Sequence, residues 1–101
     1  MMKYEFVQKD LDEAIKRYVL TLSPFKLKVF PKKEKQKVIL LYLIIKLFNK
    51  NEKYSETEIN DILRPVYEDY VILRRYLVDY NFLNRLDNGQ IYWVENINRE
   101  I

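Results

Sequence analysis

The sequence predicts a mainly α domain with a small β-hairpin, an α+β fold. Three observations predict it: four stretches with helical patterning, a serine capping box at Ser55 to Glu58, and a change from helical to alternating periodicity after Tyr80. A chain of 101 residues is one domain's worth of sequence.

The first helix is expected from about Leu11 to Leu22. Asp10 is a suitable N-cap, and Leu11, Ala14, Ile15, Tyr18, Val19 and Leu22 recur on one face opposite Asp12, Glu13, Lys16 and Arg17. Ser23-Pro24 should end it, since proline disfavours helical geometry in the residue before it. Phe25, Leu27 and Val29 then alternate with Lys26 and Lys28, the pattern of a short extended segment. Pro31 suits the first turn of a second helix from about Lys32 to Asn49. That helix is apolar at ten of the eleven positions from Val38 to Phe48, so it should be buried on more than one side.

After a polar loop, the sequence Ser55-Glu56-Thr57-Glu58 opens a short third helix with Ile59, Ile62 and Leu63 on its apolar face, stopped by Pro65. A fourth helix, from about Glu68 to Tyr80, stacks Tyr70, Leu73, Leu77 and Tyr80. Phe82, Leu83 and Leu86 form one short strand, Asp87-Asn88-Gly89 the turn, and Gln90 to Val94 the returning strand. Tyr92 and Trp93 point to opposite faces of that strand, so only one of them can be core. Glu95 to Ile101 reads as a loose or weakly helical polar tail.

Composition removes several classes of function. With Cys 0 and His 0 there are no disulfides, no thiolate nucleophile, and neither the commonest metal ligand nor the commonest general base. Ser23 and Ser55 have no histidine to activate them. Gly89 is the only glycine, and the glycine-rich phosphate loops need at least two. Catalysis and bound cofactors are therefore not expected. No apolar run reaches the length of a membrane span, and Met1 to Glu5 lead into charged sequence, so a cytoplasmic protein is expected.

Charge is unevenly spread. Met1 to Lys53 carries 13 basic and 6 acidic residues, whereas Tyr54 to Ile101 carries 5 and 9. The densest basic stretch, Lys26, Lys28, Lys32, Lys33, Lys35 and Lys37, could neutralise several phosphates, and it equally fits a solvated helix start.

Helix, short extended piece at Lys53-Tyr54, short helix, turn, second helix and hairpin is the element order of a winged helix-turn-helix, here with an extra N-terminal helix. The residues also carry a resemblance. The strings Phe30-Pro31-Lys32-Lys33, Tyr54-Ser55-Glu56 with Glu58-Ile59-Asn60, and Leu73-Arg74-Arg75-Tyr76-Leu77-Val78-Asp79-Tyr80 with Phe82-Leu83 and Arg85 resemble a bacterial domain family of unknown function. The resemblance covers roughly Phe30 to Trp93. It implies a winged-helix domain found alone or fused to transcriptional regulators, and it implies no activity. Asn81 departs from the glycine usual there, a change asparagine tolerates because it adopts the left-handed conformation readily.

Three segments are thus expected: residues 1–29 as an amphipathic helix and connector, 30–94 as the winged-helix domain, and 95–101 as the tail. At 100° steps the fourth helix turns Val71, Ile72, Arg75, Val78 and Asp79 outward with Arg74 at the flank. The leading expectation is a regulator that binds duplex DNA. Arg74 and Arg75 would dock the helix, Arg85, Asn88 and Gln90 would act from the hairpin, and Lys26, Lys28, Lys32, Lys33 and Lys35 would hold phosphates. The bland alternative gives the arginines local roles: Arg75 paired with Asp79 one turn on, and Arg74 with Tyr70 or a carboxylate. Over Glu68 to Tyr80 two arginines face three acids, which favours that alternative. The rival function is a protein-binding module of the same fold, meeting its partner through Val71, Ile72 and Val78. Leu11, Ile15 and Tyr18 of the first helix offer a face for a partner or a second copy.

Overall fold

The computed structural model describes residues 6–95; the leading five residues and the tail expected beyond Glu95 lie outside them. The described residues form an α+β domain with four helices and two small antiparallel sheets. In order these are α1 (Gln8–Tyr18), β1 (Val19–Leu22), β2 (Phe25–Leu27), α2 (Glu34–Ile45), β3 (Lys53–Tyr54), α3 (Glu56–Leu63), α4 (Tyr70–Asp79), β4 (Leu83–Arg85) and β5 (Tyr92–Val94).

The first helix begins and ends earlier than its spacing suggests. Val7 is the N-cap, and Asp10 stands three residues into the helix, where its Oδ2 accepts from the Val7 N–H at 3.1 Å. Val19 to Leu22 leaves the helix and pairs with Phe25–Leu27 through the Ser23-Pro24 turn, whose peptide bond is cis. The pairing is a tertiary effect that the apolar pattern does not carry: Val19 is buried opposite the buried Leu27, while Leu20 and Leu22 stay 63% and 59% exposed.

The central helix α2 supplies Val38, Ile39, Leu40, Leu41, Ile44 and Ile45 to the core, with α1 on one side and α4 on another. It is shorter than expected at both ends. Lys33 is its N-cap, and after Ile45 the chain tightens into i→i+3 bonds, Leu47 N–H to Ile44 O at 3.0 Å and Phe48 N–H to Ile45 O at 3.1 Å. The turn still buries Phe48, edge-on to Tyr54.

At α3 the capping box forms as read: the Glu58 N–H donates to Ser55 Oγ at 3.1 Å and the Ser55 N–H to Glu58 Oε1 at 2.8 Å. Asp69, not Glu68, caps α4 by accepting from the Ile72 N–H at 3.3 Å. α4 ends at Asn81, which has a φ of 65°. There the Asn81 N–H bonds Val78 O at 3.0 Å and the Phe82 N–H bonds Leu77 O at 2.8 Å, the paired bonds of a Schellman stop, with Phe82 and Leu77 both buried.

The short extended piece expected at Lys53-Tyr54 forms, and it joins the hairpin as a third strand. β5 pairs with β4 (Arg85 opposite Tyr92) and, on its other edge, with β3 (Tyr54 opposite Tyr92), giving the order β3-β5-β4. What the sequence does not show is the partner of β3, since two residues carry no pattern that selects β5. Tyr92 is buried and Trp93 half-buried, as the strand geometry requires. One buried cluster runs from Phe6, Ala14 and Val19 through α2 to Leu73, Leu77, Phe82 and Val94. The Leu27 N–H, donating to Val66 O at 2.9 Å, ties the first hairpin to the segment after α3.

Candidate functional site

Leu73 and Leu77 are fully buried and fix the rotation of α4. The neighbouring positions are therefore held in known directions: Arg74 toward α3 and the hairpin, Tyr76 toward α2, and Val71, Arg75 and Asp79 between them, exposed. Arg74, Arg75, Val78 and Asp79 form one wall of a groove of about 300 Å³ whose other wall is Glu56, Arg85 and Tyr92. Three arginines from two separate elements thus converge on one concavity with two carboxylates.

The groove has an internal network. Arg74 Nη1 donates to Asn60 Oδ1 and stands 3.8 Å from Glu56 Oε1. The Tyr92 hydroxyl donates to Glu56 Oε2 at 3.3 Å. Burial pushes the Tyr92 phenol above its ordinary pKa; Arg74 opposes the rise, and the charge of Glu56 together with its hydrogen bond adds to it. Arg85, opposite Tyr92 across the strand pair, reaches back along the turn, with Nη1 at 3.4 Å from the carbonyls of Leu86 and Asp87. A side chain at Gly89, where φ is 71°, would meet Arg85 Nη1 at 3.5 Å.

Arg75 makes no ion pair with any described residue, so the intrahelical pair with Asp79 does not form. Arg74 has the carboxylate alternative, Glu56 on another helix, and not Tyr70, over which the Arg64 guanidinium lies at 4.9 Å. Asn88 is used inside its turn, its Oδ1 accepting from the Gln90 N–H at 2.9 Å, while the Gln90 side chain is exposed at the hairpin tip.

The lysines divide between two sides of the domain, with Lys28 and Lys35 together beside α1. Lys26 Nζ donates to Pro65 O at 3.0 Å, Lys28 Nζ to Lys16 O at 3.3 Å, and Lys35 pairs with Asp10 at 3.6 Å. Lys32 and Lys33 are exposed on the approach to α2. Lys37 reaches α4: its Nζ lies 4.7 Å from the centre of the Tyr76 ring, which stacks on Phe30 at 5.4 Å. α4 is therefore bordered by Arg74 and Arg85 on one side and by Lys37 on the other.

Among the expected protein-facing residues, Val71 is 47% exposed, and Ile72 and Val78 are half-buried. Leu11, Ile15 and Tyr18 turn inward and pack, half-buried, against the domain's own core. Sequence reading missed Glu56 as a member of the groove and Asn60 as the residue that holds Arg74. Glu56 reads simply as a first-turn helix acid, and its partners lie 18 and 36 residues away, which only the fold brings together.

Among the described residues no cluster of acids has the makings of a metal site, and no helix is long and apolar enough to cross a membrane. A family model described as "Uncharacterized protein conserved in bacteria (DUF2087)" matches residues 26–94, from β2 to β5. No curated protein and no solved structure matches the chain.

Proposed function

The chain belongs to that family of uncharacterized bacterial proteins, and from this premise we propose that it is a non-catalytic winged-helix protein that binds duplex DNA as a transcriptional regulator. The observation that carries the reading is the convergence of Arg74, Arg75 and Arg85 on one groove between α4 and the β4–β5 hairpin. In a winged-helix reading, α3 and α4 are the helix-turn-helix and the hairpin is the wing; β3, paired to β5, holds that wing against the domain.

Arg75, exposed and unpaired with any described residue, is the side chain available to a base edge or phosphate, and Val71 to a thymine methyl. Arg74 and Arg85 meet the backbone on one flank, Lys37 on the other, and Gln90 extends from the wing tip. Glu68 and Asp69 at the start of α4 oppose a phosphate there, and Asp69 has a local role as the helix cap. The test is fluorescence anisotropy with duplex genomic fragments across a salt series. Binding should weaken with salt at a log–log slope of about 0.9 per phosphate contacted. No binding at low salt removes the reading.

A second reading, a protein-binding module of the same fold, draws on Val71, exposed in the middle of α4 beside Ile72 and Val78. A pull-down with Arg74→Glu and Arg75→Glu separates the two: loss of a protein partner with no effect on DNA favours the module.

A further inference from the structure

We propose that the pocket between α1, Lys28 just after β2, and the first half of α2 binds a small phosphate ester whose organic part carries hydroxyl groups, the class of sugar phosphates and nucleoside monophosphates. The pocket shares no lining residue with the arginine groove, and the inference stands apart from the DNA reading.

Its volume is about 620 Å³, within the range of small-molecule sites. Lys16, Arg17, Lys28 and Lys35 line it against Asp10 and Glu13, an excess of two positive charges. Little inside the protein offsets that excess. Among the described residues only Lys35 of these four has an ionic partner, Asp10 at 3.6 Å; Lys28 Nζ reaches a neutral carbonyl, and Lys16 and Arg17 have no partner there. Cations gathered around one concavity repel one another, and a dianion seated among them turns that repulsion into attraction. A planar guanidinium beside ammonium groups suits a terminal phosphate.

The rest of the pocket is not cationic. Its floor is the buried Ala14 and Ile39, and one wall is the Tyr18 hydroxyl locked to Gln36 Oε1 at 2.6 Å, which fixes both side chains before any ligand arrives. Glu13 is exposed and pairs with no described residue, so it is free to accept from a hydroxyl. These features select against duplex DNA here: carboxylates at Asp10 and Glu13 repel a continuous polyanion, and a rod cannot enter a pocket of this size. They suit a discrete molecule with one anionic end and one donor-rich end.

The probe is ribose 5-phosphate, titrated into the isotope-labelled full chain by nuclear magnetic resonance, with inorganic phosphate and ribose as its two halves. Saturable shifts at Ala14, Tyr18, Lys28 and Gln36 are expected below roughly 1 mM, the weak end of specific affinities. Phosphate alone should bind at least tenfold more weakly and ribose not at all. Arg17→Glu and Lys28→Glu, both at exposed positions and so safe for folding, should each weaken binding at least tenfold, whereas Arg75→Glu should leave it unchanged. The proposal is overturned by an absence of saturation, by equal binding of phosphate and ribose 5-phosphate, or by indifference to both pocket variants. Competition between duplex DNA and ribose 5-phosphate for the same resonances would overturn it too, since the pocket would then be part of a polyanion surface.

Discussion

The Arg74 guanidinium on α4 and the Glu56 carboxylate on α3 stand 3.8 Å apart, and the same carboxylate takes the Tyr92 hydroxyl on its second oxygen at 3.3 Å. Glu56 is thus an anion already resident where the DNA reading seats a phosphate. Glu56→Gln keeps an acceptor for Tyr92 and removes the charge. Exposed pairs are worth about 0–1 kcal/mol, and Glu56 is half-exposed, so DNA affinity should rise by up to about fivefold with stability little changed. Anisotropy titrations of both proteins at one low salt concentration check this. Unchanged or weaker binding would show that the carboxylate does not compete with phosphate.

The stop of α4 sets where the hairpin begins. Asn81 sits at a φ of 65° and closes the helix with two backbone bonds. A residue with a Cβ and no amide side chain pays a steric cost there of roughly 1 kcal/mol relative to glycine. Asn81→Ala should accordingly be destabilised by about that amount in urea unfolding, and Asn81→Gly should match or exceed the parent protein. Equal stability of the two variants would contradict the left-handed stop.

Ser55 and Glu58 exchange hydrogen bonds at 3.1 Å and 2.8 Å at the start of α3, one residue from Glu56. Ser55→Ala should cost about 1 kcal/mol, a fall in Tm of roughly 4–8 °C for a domain of this size. Thermal unfolding followed by circular dichroism measures it.

Elements set by local chemistry were legible in the sequence, because their determinants lie within four residues. The capping box of α3, the burial of α2 on more than one side and the placing of Tyr92 and Trp93 on opposite faces are of this kind. At Val19 to Leu22 the helical spacing misleads, because pairing with Phe25–Leu27 across the Ser23-Pro24 turn draws the segment into a sheet. The groove was half legible. Arg74 and Arg75 stood out on α4, but Glu56 and Asn60 joined them only through contacts 18 and 14 residues long. The lysine run reads as one patch because it is nearly contiguous in sequence, yet the fold divides it: Lys28 and Lys35 both turn to α1 and share its pocket, whereas Lys26 ends on Pro65 and Lys37 on Tyr76.

The buried rod α2 and the first hairpin should respond oppositely to truncation. Leu41 is fully buried, so Leu41→Ala should cost about 2–5 kcal/mol, enough to threaten folding of a small domain. Leu20 is 63% exposed, and Leu20→Ala should stay within about 0.5 kcal/mol. Urea unfolding of the pair tests whether the core lies where the burial pattern puts it; similar losses for both would show that it does not.

Tyr92 gives the groove an alkaline signature. Its phenol is held above the ordinary value, first by burial and then by the Glu56 charge and hydrogen bond, against the pull of Arg74 and Arg85. An unfolded tyrosine releases its proton near pH 10, so between that pH and the folded pKa the folded state retains a proton that the unfolded state has lost. Stability from this group is therefore intact below about pH 10 and declines as pH rises through that window. Tyr92→Phe has no proton to lose and should show a shallower alkaline decline in urea unfolding. In the folded parent protein one late-rising component of tyrosinate absorbance should disappear on the same substitution. Identical alkaline profiles for the two proteins would mean that Tyr92 is not sealed behind Glu56, and the groove's internal network would lose its anchor on β5.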